Sequence, residues 1–162
     1  MTIYSSAHSS SRAPVTVDAS TATANRRQRT ILRIGAAYDA GFGVPILAAP
    51  ALLMNTMALP MPNIGEIWLR LDGIFLIILG IIYWIMSGDP QRYLAMVGVI
   101  LLGKVTSIIF YLTYVFAFGE SKTLVLFASL DGVMFALHYW ALGPSGFRRI
   151  RDALQPAPIA TR

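Results

Sequence analysis

The sequence predicts an all-α integral membrane protein: a four-helix bundle running up-down-up-down, with both termini cytoplasmic. Three observations carry this. The 162 residues are 56% hydrophobic and only 13% charged, against roughly 25% charged in soluble domains. The 85 residues from Gly35 to Gly119 carry seven formal charges. Four apolar runs, each near or above the ~20 residues that cross ~30 Å of hydrocarbon, are joined by short turn-forming segments. Such a chain lacks the polar surface of a soluble enzyme and is too apolar for a disordered regulator. It also lacks the aromatic-interleaved basic face of a nucleic-acid module.

Residues 1–30, rich in Ser, Thr and Ala, contain no continuous apolar stretch of the kind a secretory signal needs. They read as a disordered cytoplasmic tail, in which His8 has no role. The membrane domain covers residues 31–143. Its first span, about 32–57, is interrupted by Arg33 and Asp39 and carries Pro45 and Pro50, which should kink it. The second span, about 67–87, has Arg70 and Asp72 near its start. The third, about 93–118, holds Lys104, and the fourth, about 123–142, holds Asp131 and His138. The connections are Asn55–Glu66 with Pro60 and Pro62, then Gly88-Asp89-Pro90, then Gly119-Glu120-Ser121-Lys122. They are short enough to make consecutive spans antiparallel neighbours. Residues 144–162 form a basic cytoplasmic tail.

Orientation follows from where Lys and Arg fall. With the N-terminus inside, the two tails and the Asp89 loop hold ten of the thirteen basic residues: Arg12, Arg26, Arg27, Arg29, Arg33, Arg92, Arg148, Arg149, Arg151 and Arg162. Only Arg70 and Lys122 fall outside. Trp68, Tyr83, Trp84, Tyr93, Tyr111, Tyr114, Tyr139 and Trp140 lie toward span ends, as an interfacial aromatic belt would place them. Small residues four apart, Ala37/Gly41, Gly103/Ser107 and Ala128/Gly132/Ala136, read as helix-packing faces. A faint repeat relates Leu71-Asp72-Gly73-Ile74 to Leu130-Asp131-Gly132-Val133, with Phe75 or Phe135 following and Tyr83-Trp84 or Tyr139-Trp140 closing the span.

The ionisable residues inside the spans are the candidate site: Asp39, Asp72, Lys104, Asp131 and His138. A charge near the bilayer centre costs at least ~2.5–3.5 kcal/mol on insertion scales, so it faces the bundle interior and finds a partner. At ~1.5 Å per residue from Leu32, Ser87, Tyr93 and Gly143, Lys104 lies about 16 Å deep, Asp131 about 18 Å, Asp72 about 22 Å, Asp39 about 10 Å and His138 about 8 Å. The levels pair Lys104 with Asp131, and Asp39 with His138. Three carboxylates against one lysine leave a net −1 unless an Asp holds a proton or His138 takes one. Two readings follow: a structural polar lock that fixes helix register, and a proton- or ligand-linked site. Glu66 and Arg70, four apart, read as a simple helix pair.

Other chemistry is thin. There is no cysteine, which removes disulfides and thiolate chemistry. A lone membrane His makes neither a zinc site nor a haem site with two histidine ligands. No nucleophile elbow, Walker loop or dinucleotide fingerprint is present. No catalytic residue and no metal site is therefore assigned, and the reading leans away from an enzyme.

Residues 31–143 resemble the DoxX-like group of small four-helix bacterial membrane proteins. The features are Leu32-Arg33-Ile34 followed by Ala37 at the opening of the first span, four cysteine-free spans, and Gly88-Asp89-Pro90 with Arg92-Tyr93 ahead of Leu102-Gly103-Lys104. The resemblance implies a bacterial inner-membrane location and a four-helix fold. It points to no single activity, because functions in the group include quinone-linked subunits and accessory proteins. The leading expectation is an accessory or scaffold subunit of a membrane complex, held by a buried polar lock. Its partners would be the lipid bilayer and larger subunits or further copies of the chain, with no nucleic acid. The alternative is a proton-linked small transporter or a quinone- or lipid-binding protein built on the Asp/Lys/His cluster. No cofactor is expected on the first reading, and a quinone is the one kept open by the second.

Overall fold

A computed structural model describes residues 19–57, 65–119 and 123–155. The described residues are all-helical: α1 (Ala19–Ala48), α2 (Pro50–Thr56), α3 (Gly65–Gly88), α4 (Leu94–Phe118), α5 (Thr123–Leu142) and α6 (Gly146–Leu154). Four of these, α1 from Ala22 together with α3, α4 and α5, are long and apolar enough to cross a membrane. Most of the Asn55–Glu66 and Gly119–Lys122 connections, residues 1–18 and residues 156–162 lie outside the described residues.

The first span differs from expectation at both ends. Helix α1 begins at Ala19 rather than near Leu32. Good helix formers (Ala24, Arg26, Arg27, Gln28, Arg29) favour it, and the turn between α3 and α4 holds it in place. Gln91 Nε2 donates to Gln28 Oε1 at 3.1 Å, and Arg29 donates to the Gly88 carbonyl at 3.1 Å. Gln28, Ile31 and Leu32 are buried there. At the other end, Ala49 takes a non-helical conformation ahead of Pro50 (φ −145°, ψ 61°), as the ring of a following proline requires. The helix therefore breaks outright and restarts as α2. Arg70 closes the break by donating to the Leu47 carbonyl at 2.6 Å while holding Glu66 at 2.7 Å.

The C-terminal tail is also helical over part of its length. Within α6, Gly146 and Ile150, four apart, are buried, and Arg148, Arg149 and Arg151 lie on other faces. Ile150 rests on Gly98 of α4, where a Cβ would meet it at 2.5 Å. Gly143 (φ 73°) supplies the left-handed residue that turns the chain from α5 into α6.

The long helices form an arc rather than a closed square. Helix α3 packs on α1, α1 on α5, and α5 on α4, whereas the α3 and α4 backbones stay apart despite their short connection and share only side chains of the core at the turn end. The α1–α3 seam is the tightest. A Cβ at Gly43 would lie 2.8 Å from the Gly73 carbonyl oxygen, and one at Gly80 would lie 3.0 Å from the Ala36 carbonyl oxygen. With Ala40 this makes a small-residue stripe along α1, and such stripes let backbones approach in lipid. The faces expected from sequence spacing are looser: Gly41 and Gly103 have open space beyond their Cα atoms, and Gly132 has only the tip of Ile108, 4.0 Å away. Spacing alone identifies a face but not which face meets a helix. The remaining core, with Leu32, Tyr83, Met86, Val97, Leu101, Leu142 and Ile150, lies toward the arginine-rich end, where the start of α1, the α3–α4 turn and α6 gather. Tyr83, expected in the aromatic belt, is fully buried in it, while Trp68, Trp84, Tyr139 and Trp140 are exposed.

Candidate functional site

Lys104 of α4 reaches across the interior and stands between two carboxylates. Its Nζ donates to Asp131 Oδ1 of α5 at 2.8 Å and lies 3.7 Å from Asp39 Oδ1 of α1. All three are buried, with 8%, 6% and 1% of their surface exposed, so the cluster lies beyond the screening that makes surface pairs nearly worthless. Nζ also sits 4.9 Å over the Tyr38 ring, adding a cation–π contact in a desolvated setting.

The Lys104–Asp131 pairing is the one the sequence levels give. Asp39 is different: it joins Lys104 and not His138. Gln28 is level with Gln91, so the depth of α1 is counted from Gln28 rather than Leu32, and Asp39 then stands about 16 Å in, level with Lys104. His138 sits lower, its ring 5.5 Å from that of Tyr83. Both are buried, and neither His138 Nε2 nor the Tyr83 hydroxyl has a hydrogen-bond partner among the described residues; the same holds for both Asp39 oxygens. Buried polar atoms of this kind call for a bridging water or a bound polar group. Asp72 stands apart from the cluster, exposed and without a hydrogen bond or ion pair among the described residues. The two halves of the Leu-Asp-Gly repeat thus sit in unlike surroundings: Asp131 in the ion cluster beside a loosely packed Gly132, Asp72 exposed beside a tightly packed Gly73.

Because α3 and α4 stay apart, the cluster borders a cleft of about 770 Å³. Its walls are largely apolar, with Phe42 and Ile46 of α1, Leu76 and Leu79 of α3, Met96 and Ile100 of α4, and Phe127 of α5. Asp39, Lys104 and Asp131 form its polar wall, with Asp72, Ser107 and the three tyrosines Tyr38, Tyr83 and Tyr111 completing it. Phe75 and Ile78 on one lip and Met96 and Val99 on the other are 42–59% exposed, so the cleft opens sideways from the bundle. The size and the mix of an apolar lining with a few convergent polar groups are those of a small-molecule site.

No family model, no curated protein and no solved structure matches the chain. The residues themselves therefore carry the functional reading. The sequence missed Tyr38, Tyr83, Ser107 and Tyr111 as members of the site. A signal existed for two of them, since Ser107 and Tyr111 follow Lys104 by three and seven residues and share its helix face. Among the described residues no three His, Asp or Glu side chains converge to hold a metal ion.

Proposed function

We propose that the protein is a membrane-embedded binding protein for a small amphipathic molecule of the bilayer, of the lipid or quinone class. The observation that carries this reading is the position of the Asp39–Lys104–Asp131 cluster: it forms one wall of an apolar cleft that opens sideways between α3 and α4. A lock alone needs the ion pair but no cavity beside it. Apolar walls would take the chain or ring of the ligand, and Lys104 Nζ and the Asp39 oxygens, which accept no hydrogen bond among the described residues, would meet its polar group. The uneven charge count, two carboxylates on one ammonium, fits a cluster that gains or gives up a proton as the ligand arrives or leaves. The accessory-subunit reading keeps the same cluster as its lock and assigns the cleft to a partner helix.

The orientation belongs to the same proposal: four spans running up-down-up-down, as in the DoxX-like proteins of the bacterial inner membrane, with both termini in the cytoplasm. The contacts of Arg29 with the α3–α4 turn and of Arg27 with Trp140 near the end of α5 support it, because they bring the arginine-bearing segments to one end. Reporters fused before Arg26 and after Arg151 should both read cytoplasmic, and one at Asn63 should read outside.

Solvent extraction of protein purified in mild detergent, followed by mass spectrometry, tests the binding reading. The wild type should release one amphipathic species in near-stoichiometric amount, and the Lys104→Met/Asp131→Leu double variant should fold but release little of it. A double variant that carries the same molecule at the same level would leave the cluster as a lock only.

A further inference from the structure

A second site lies at the arginine-rich end and rests on separate observations. Arg26, Arg29 and Arg33 recur along α1 at intervals of three and four, hence on one helix face, and rise over about 10 Å along its axis. With Asn25 and Thr30 they line a shallow, open groove along one side of α1. No carboxylate pairs with any of the three among the described residues, and no acidic residue occurs between Ala19 and Tyr38. Their neighbour Arg27 is engaged elsewhere, 4.7 Å over the Trp140 ring. Three guanidinium groups thus line one groove with no counter-charge among the described residues.

The surroundings say what kind of anion fits. Arg29 is fixed from one side by its bond to the Gly88 carbonyl, which leaves its other N–H groups for a ligand. Arg33 lies 5.6 Å over the ring of Trp84, and Trp84, Ile81, Ile85 and Ile34 are 45–62% exposed beside it. A basic groove therefore runs directly into an exposed apolar surface on a helix long enough to cross the membrane. We propose that the Arg26/Arg29/Arg33 groove binds the phosphate headgroup of an anionic phospholipid, with the acyl chains lying along Trp84 and the exposed isoleucines. Guanidinium forks suit phosphate oxygens, and an indole at the headgroup level is where such a side chain is most at home. This site is distinct from the cleft and does not depend on what the cleft holds.

The experiment uses the full chain, stripped of lipid in detergent. Thermal unfolding is followed with added phosphatidylglycerol, phosphatidylcholine or inorganic phosphate, and lipid retention is read by native mass spectrometry. Phosphatidylglycerol should raise the melting temperature well above the effect of phosphatidylcholine, and inorganic phosphate should do little. R26Q/R29Q/R33Q should lose this preference, whereas R148Q/R149Q/R151Q on α6 should keep it. Should the triple variant fold poorly, R26Q and R33Q singly should each weaken phosphatidylglycerol retention about fivefold. A triple variant that keeps the preference, single variants that bind as the wild type does, or equal protection by phosphatidylcholine or by inorganic phosphate would overturn the proposal.

Discussion

The α1–α3 seam and the α3–α4 gap make the most instructive contrast in the molecule. Both involve α3 and both run between long apolar helices. In the seam, Gly43 meets Gly73 and Gly80 meets Ala36 so closely that no side chain stands between the backbones. Across the gap, Leu79 and Ile82 of α3 and Gly103 and Lys104 of α4 line an open cleft. Hydrophobicity does not distinguish the two, since in lipid an apolar side chain is equally at home against a helix or an acyl chain. Small residues close the seam, and the site exists because α3 is held by α1 and not by its neighbour in the chain.

The largest expected effect concerns the ion cluster that borders the gap. Removing one member of a buried pair costs ~3–5 kcal/mol, whereas replacing both is often tolerated. Lys104→Met should be the worst single change because it leaves two carboxylates, Asp131 and Asp39, with no cation. Asp131→Leu should cost less, since Asp39 remains near Nζ. The double variant should recover more than half of the Lys104→Met loss, and adding Asp39→Asn should recover most of the rest. Unfolding in detergent measures the series. Strictly additive losses for Lys104 and Asp131 would mean that the two side chains do not meet.

The next effect sharpens the seam. Gly73→Ala drives a methyl group against the Gly43 carbonyl and Leu47 backbone and should cost about 1–3 kcal/mol, as overpacking does. Gly103→Ala, with open space before it, should be neutral or should gain a few tenths of a kcal/mol, up to about 1, from helix propensity. Smaller still, Gly132→Ala should change stability by less than Gly73→Ala, because only the flexible tip of Ile108 lies near. Melting temperatures of the three variants side by side would check the order. Equal losses at Gly73 and Gly103 would erase the distinction between seam and gap.

The legible and illegible parts of the sequence divide along the same line. Four helices long enough to span a membrane could be read from length and hydropathy alone, and Lys104–Asp131 could be matched because both helices are anchored by nearby glycine turns. The level of Asp39 could not, since it depends on α1 starting at Ala19 and on Gln28 docking to Gln91, a contact between residues 63 positions apart. Residues 144–162 read as a plain basic tail, yet α6 carries Gly146 and Ile150 at helical spacing around Arg148 and Arg149, a pattern too short to stand out. A short turn between α3 and α4 suggested packed neighbours, but a turn fixes only the ends of two helices. The cleft depends on how they diverge beyond it, and that is set by the glycines of the other seam.

Filling the gap between α3 and α4 decides whether it is a binding cleft. Gly103 borders the cleft with nothing within 4 Å of its Cβ position, so Gly103→Trp brings an indole into the space while leaving the residues of the ion cluster and the seam unchanged. The quantity to measure is the amphipathic molecule extracted per mole of purified protein, alongside the melting temperature. Gly103→Trp should unfold at or near the ligand-free wild-type temperature and carry almost none of the molecule. A Gly103→Trp protein that still carries the wild-type amount would contradict the binding reading.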